Sequence, residues 1–321
     1  MIYPKKRSEF RVQGSELKTG QVSTCGPQPG TRNTEHGTGN PEPETRNPEQ
    51  RAPRLQARGF TLVEMIVVIA ITGILGAVVA VFIRRPVEGY IDAVRRAELT
   101  DIADTALRRI TRDLRTALPN SIRTTSAGNV QYLEYLETSG GGRYRAETDS
   151  GGAGDILNFI AADASFDVIG TMPALAAGNS IVIYNLSPTG STANAYSGDN
   201  RGAYSSSTAT TITLSPAKLF PFQSSGKRFQ VVGDAVTYAC DPLPAGAGVL
   251  RRYWNYGIVD PQPTPPGGSN ALLARNITGC SFVYTASGPT SRTGIVALNL
   301  QVEQAGEKVQ LFQQAHVNNV P

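Results

Sequence analysis

Hydrophobic and polar positions along this chain fall into three regimes. Residues 1–58 show no apolar period: GPQPGTRNTEHGTGNPEPETRNPEQRAPR is built of Pro, Gly, Asn, Thr and Glu, and TRN recurs at Thr31 and Thr45. Such a composition has too little to bury and predicts a disordered segment. From Phe60 to Ile83 the pattern inverts, with 24 residues lacking any charge except Glu64. About 20 apolar residues cross a bilayer at ~1.5 Å rise each, so this run predicts a transmembrane helix. RRPVEG follows, and there Pro86 should kink or interrupt the helix, because it has no N–H to donate. Beyond it, Val87, Tyr90, Ile91, Val94, Ala97, Ile102, Ala106, Ile110, Leu114 and Ala117 recur at helical spacing. Asp92 with Arg96, and Asp104 with Arg108, are i,i+4 pairs with the acid first, the better order. Pro119-Asn120-Ser121 is expected to end the helix at Leu118, which would make it roughly 90 Å long.

Downstream of residue 129 the period shortens to two. VQYLEYLE, DILNFI, SIVIYNL, TATTITL, FQVVGDAVTYAC, VLRRYW, CSFVYTA, IVALNLQVE and KVQLFQQAHV read as short strands. TSGGGR, SPTGSTANAYSGDNRG and DPQPTPPGGSN between them read as turns and loops. The expected class is α+β, a long N-terminal helix packed on an antiparallel β-sheet domain. Its expected parts are an N-terminal stretch over 1–59, a transmembrane segment over 60–83, an amphipathic half-helix over 84–118 and a β-rich domain over 119–321.

Charge narrows the functional classes. The net +4 resides entirely in residues 1–59, which carry ten Lys/Arg against six Asp/Glu, while residues 60–321 carry twenty of each. The β-rich domain therefore lacks a basic footprint, and no nucleic-acid partner is expected. Of three cysteines, Cys25 lies in the N-terminal stretch, and Cys240 with Cys280 form an even pair beyond the membrane segment. That placement suits a disulfide in an oxidising compartment, with two buried free thiols as the alternative. Neither cysteine has His or further Cys at ligand spacing, so no metal is expected there.

Candidate chemistry is sparse. The two histidines are His36, in the polar stretch, and His316, on a predicted strand. Neither belongs to a GxSxG elbow, and no GxGxxG or GxxxxGK[ST] occurs. Glu134/Glu137 and Asp163/Asp167 are scattered acids without assignable roles. Asp199 and Asn200 in SGDNRG could offer oxygens to calcium but lack the spaced acids of a dedicated loop, so a solvated turn is the competing account. Arg108, Arg109, Arg112 and Arg115 cluster where cations favour a helix C-terminus, or where an acidic partner could dock. No catalytic residue, cofactor or enzymatic activity is expected.

The residue demanding an explanation is Glu64, since a carboxylate in a bilayer-spanning run costs on the order of 3 kcal/mol. An ordinary secretory signal does not account for it, because an apolar region there spans ~7–15 residues and ends at a small-residue cleavage site. Cleavage between Gly59 and Phe60 would. It places the new α-amine of Phe60 four residues from Glu64, one helical turn away on the same face. Ammonium and carboxylate could then neutralise each other within one subunit, or between staggered neighbours whose axial register the pair would set.

Gly59-Phe60-Thr61-Leu62-Val63-Glu64, preceded by Arg58 and followed by the apolar run, resembles the processing motif of type IV prepilins and type II secretion pseudopilins. The resemblance implies cleavage after Gly59 by a prepilin peptidase and N-methylation of Phe60. It also implies assembly with other major and minor pilin subunits through the N-terminal helix, with Glu64 serving subunit assembly. IRRPVEGYIDAVRRAELTDIADTALRRITRDLRTALPNSIR, VTYAC with LRRYW, ITGCSFVYTA and the terminal HVNNVP resemble the MshO family of MSHA-type pilus biogenesis proteins. The helix is similar also to that of J-type minor pseudopilins. The implied location is a single pass in the inner membrane of a Gram-negative bacterium with a periplasmic C-terminal domain, followed by the pilus or pseudopilus. Residues 1–59 are then a leader, long for this family. Met1 is the only methionine before Met65, so translation from a non-ATG codon near Leu55 is expected, leaving LQARG. Arg51, Arg54 and Arg58 favour a cytoplasmic N-terminus against Arg84 and Arg85. A tip adhesin remains an alternative, with specificity in the Ser/Thr/Gly/Asn-rich loop at 187–209.

Overall fold

A computed structural model describes residues 59–286 and 292–321. The expected disordered leader, with Cys25 and His36, lies outside the described residues. Gly59–Thr61 belong to a separate N-terminal unit and are exposed and non-helical.

The second unit begins with α1 (Leu62–Leu114), whose 53 residues span about 80 Å. The expected interruption at Pro86 does not occur, for the helix runs through it. The missing donor leaves only the Phe82 carbonyl without its i+4 partner, a loss that one turn absorbs. The helix stops four residues short of the expected Leu118. After Leu114 the chain tightens into i→i−3 hydrogen bonds from Arg115, Thr116 and Ala117, and the Thr116 hydroxyl caps the Asp113 carbonyl at 2.8 Å. Leu118 N–H then donates to the Leu136 carbonyl at 2.8 Å, so a strand captures the residues that helical spacing had assigned to the helix.

The strands are β1 (Arg123–Ala127), β2 (Val130–Tyr144), β3 (Asp163–Ile169), β4 (Ser180–Val182), β5 (Arg201–Ser207), β6 (Thr211–Lys218), β7 (Arg228–Asp241), β8 (Gly248–Trp254), β9 (Ser269–Ala286), β10 (Thr293–Gln304) and β11 (Glu307–Asn318). All pairings are antiparallel. The α+β expectation holds. A main sheet runs β1-β2-β7-β8-β9-β10-β11, and the lower half of α1 packs on it. Leu99, Ala103, Ala106, Leu107, Ile110 and Leu114 form the buried stripe, against Leu133, Val236, Leu250, Leu298 and Leu300.

That stripe corrects the expected one. Val87, Tyr90, Ile91 and Val94 are exposed, Tyr90 at 71%. The reason is where the sheet ends: Arg96 pairs with Glu307, the first residue of β11 beside the β10–β11 turn. Above that turn there is no sheet for the helix to cover.

Between β2 and β7 the chain builds a second core. The pairings β2–β3, β3–β6, β6–β5, β5–β4 and β4–β7, with β2–β7, close a six-stranded ring. Phe166, Ile181, Leu214, Phe220 and Phe229 fill it, and Phe166 meets Phe229 edge-on at 5.5 Å. The expected turn at TSGGGR is instead the far half of β2, paired with β7 through two register shifts. A Cβ on Gly142 would stand 2.8 Å from the Phe229 ring, so glycine there admits an aromatic side chain rather than a turn. DILNFI is also not a strand. The Asn158 side-chain oxygen accepts from the Ile160 and Ala161 N–H groups, and the Asn158 backbone N–H donates to the Asp163 carboxylate, which holds the segment as a loop. Strands β1, β3 and β5 were not anticipated.

Candidate processing and assembly site

The functional candidates lie at the two ends of α1. Phe60 is 77% exposed, two residues before the helix begins. Glu64 occupies the first helical turn, where the N-terminal partial positive charge favours an acid. After it comes the membrane-length stretch, none of whose most apolar 18-residue window is buried in the fold. Its one other polar side chain within the helix, Thr72, donates back to the Val68 and Ile69 carbonyls at 2.7 and 3.1 Å. The segment can therefore enter lipid with that hydroxyl satisfied. Just beyond, Arg84 pairs with Glu88 at 2.8 Å on the exposed surface.

The other end of α1 is fastened by charge. Asp113 accepts from the Tyr238 hydroxyl at 2.6 Å and from Arg252 at 3.1 Å, both on strands, and from Arg109 at 3.3 Å on its own helix. Burial, then the nearby Tyr135 and Asp113, hold the Tyr238 hydroxyl far above its ordinary range. It therefore stays a donor. Part of the arginine cluster is thereby explained: Arg108 pairs with Asp104 at 2.6 Å, and Arg109 and Arg112 reach Asp113 at 3.3 and 3.8 Å.

Sequence reasoning missed a second network. Glu134, fully buried on β2, is gripped by Arg123 of β1 through Nε and Nη2 at 2.9 and 2.7 Å. Its other oxygen accepts from Thr237 at 3.0 Å and Tyr256 at 3.2 Å. Arg123 also donates to Asp260 and to the Val259 carbonyl, and lies 3.6 Å from the Tyr196 ring centre. Burial raises the Glu134 pKa, opposed by Arg123. The only sequence signal was an acid at an inward position of VQYLEYLE.

Cys240 and Cys280 are joined by a disulfide with a Cα–Cα distance of 6.5 Å. It links β7 to β9 across the end of β8, beside the core under α1. His316 is exposed on β11. The Asp199 carboxylate is taken up by the backbone N–H groups of Ala193 and Asn194, and Asn200 is buried against Asn185. Among the described residues, no group of three or more His, Cys, Asp and Glu is placed to hold a metal ion. Gly59, Phe60 and Glu64 thus stand at the helix start, while the acid networks and the disulfide lie in the β-rich part.

Residues 54–80 match the family model described as the prokaryotic N-terminal methylation motif. No curated protein and no solved structure matches the chain significantly. The chain therefore joins a type IV prepilin-like methylation motif, which contains Gly59, Phe60 and Glu64, to one long apolar helix and an antiparallel sheet domain.

Proposed function

We propose that this chain is a minor pilin-like subunit that serves assembly of an MSHA-type type IV pilus, acting structurally and without a reaction of its own. It is inserted in the inner membrane with its β-rich domain in the periplasm. Prepilin peptidase cuts after Gly59 and Phe60 is N-methylated. The subunit then leaves the bilayer and packs its helix against those of other pilins. One observation carries this reading: the methylation motif, matched over residues 54–80, takes in the membrane-length start of a helix that the rest of the fold leaves uncovered. A soluble domain would bury such a surface, so lipid first and neighbouring helices later are its natural solvents. The resemblance of the stretch around Pro86 to MshO-type helices supports the MSHA assignment.

N-terminal sequencing of the protein recovered from cells tests the reading. The expected mature terminus is methyl-Phe60, with the full-length form accumulating when the peptidase gene is deleted or when Gly59→Ala is introduced. An intact Gly59–Phe60 bond in wild-type cells would refute it. A J-type pseudopilin of type II secretion would process identically. Loss of surface fibres with protein export intact, on deleting this gene, favours the pilus; the opposite pair favours the secretion system.

A further inference from the structure

A cavity of about 400 Å³ opens where β5 and β6 of the six-stranded ring meet the chain around Gly233 and Gly257. Its volume falls within the ~300–1,000 Å³ range of small-molecule sites. Two cations converge in it. The Lys218 ammonium donates to the Gly198 carbonyl at 2.6 Å, and Arg201 Nη2 lies 3.6 Å from where a Gly198 side chain would begin. Gly198 has a φ of +82°, a backbone conformation that favours glycine.

Arg201 is half-buried, and among the described residues its guanidinium makes no hydrogen bond or ion pair. Asp199, two residues earlier, does not pair with it, being turned to the N–H groups of Ala193 and Asn194. Burial depresses the pKa of Arg201, and depresses that of Lys218 with Arg201 adding to the effect and Asp199 opposing it. An arginine held partly out of water without an acceptor is costly to the fold, and a five-donor fork is best satisfied by an oxyanion. The remaining wall is largely backbone at Gly198, Gly233 and Gly257, and Asp234 offers acceptor oxygens. A flat polyol could lie against such glycines and give its hydroxyls to Asp234.

We propose that this cavity binds an acidic sugar, with Arg201 and Lys218 holding its carboxylate. The site is independent of the assembly reading, since it draws on the six-stranded ring and the loop at Gly257 rather than on α1. It gives the expected loop at 187–209 a defined ligand class, because its loop part supplies Gly198 and β5, which occupies most of the rest, supplies Arg201.

The test uses the full-length chain in detergent micelles, with thermal unfolding followed in glucuronate, glucose or inorganic sulfate. Glucuronate should raise the unfolding temperature saturably and glucose should not. Arg201→Met should abolish the shift, weaken glucuronate binding by about tenfold or more in calorimetry, and unfold at or above the wild-type temperature without ligand. The last outcome separates a binding arginine from a structural one, since removing a structural arginine lowers stability. Lys218→Met should also weaken binding, and Arg112→Met, on the exposed helix face, should leave it intact. An absent glucuronate effect, an equal effect in Arg201→Met, or a response to sulfate without one to glucuronate would overturn the proposal.

Discussion

The Asp113 carboxylate sits 3.1 Å from the Arg252 guanidinium, tying the last turn of the long helix to the middle of the sheet. Both side chains are nearly buried, and Tyr238 completes the carboxylate's shell at 2.6 Å. Removing one partner of such a pair strands the other, so Asp113→Ala should cost about 3 kcal/mol of folding stability. Asp113→Asn, which keeps an acceptor for Tyr238, should cost less. Denaturant unfolding of the two variants provides the measurement, and equal small losses would mean that apolar packing alone holds the helix end.

Glu134 should impose a pH dependence. Because burial holds its pKa above the ordinary 4.5, the folded chain binds this proton more tightly than the unfolded chain. Stability should therefore fall as pH rises through the window immediately above 4.5. Glu134→Gln should flatten that part of the profile. Glu134→Ala, which leaves the buried Arg123 without its main acceptor, should cost roughly 3–5 kcal/mol. An unchanged pH profile in Glu134→Gln would contradict the assignment.

The bridge between Cys240 and Cys280 closes a loop of sequence separation 40. Loop-closure entropy for that length is worth about 4 kcal/mol in the chain-entropy model. Cys240→Ala with Cys280→Ala should lose a comparable amount of stability. The variant should also accumulate less in cells, as immunoblotting would register.

Glu64→Ala should leave cleavage after Gly59 intact and impair incorporation into fibres. The peptidase must recognise the junction, whereas the carboxylate is needed once a terminal amine exists beside it. Comparing processed protein in membranes with that in sheared fibres reads both steps, and normal incorporation of the variant would remove the pairing argument.

The features legible in the sequence were those whose cause is local. A lone acid in an apolar run announces itself at Glu64. The alternation of buried and less buried positions in β10 follows directly from IVALNLQVE. The misreadings have distant causes. Gly140–Gly142 carry the local signature of a turn, but what needs their bareness lies far along the chain: Pro173 beside Gly140, the Phe229 carbonyl beside Gly141 and the Phe229 ring beside Gly142. Val87 to Val94 have helical spacing, yet their exposure depends on where the β10–β11 turn stops, which no helix residue encodes. Arg123 and Glu134 look like solvated strand charges. Their burial comes from Tyr196, Tyr256 and Asp260, contributed by separate loops.

The six-stranded ring hangs from two strands that are already neighbours before they reach it. Residues 131–136 of β2 pair with 235–240 of β7 in the main sheet, and Arg143 still faces Arg228 at the far end. The insert between those two arginines nevertheless reaches back to the platform: Tyr196 donates to the Ser121 carbonyl at 2.9 Å and covers Arg123, and Asn185 donates to the Pro119 carbonyl at 2.8 Å. Joining them by a tight turn would leave a plain hairpin but would uncover Leu118, Leu136 and the Arg123–Glu134 pair. Surface properties on the ring's outer strands are consequently free to diversify only so long as Tyr196 and Asn185 keep their grip on the platform.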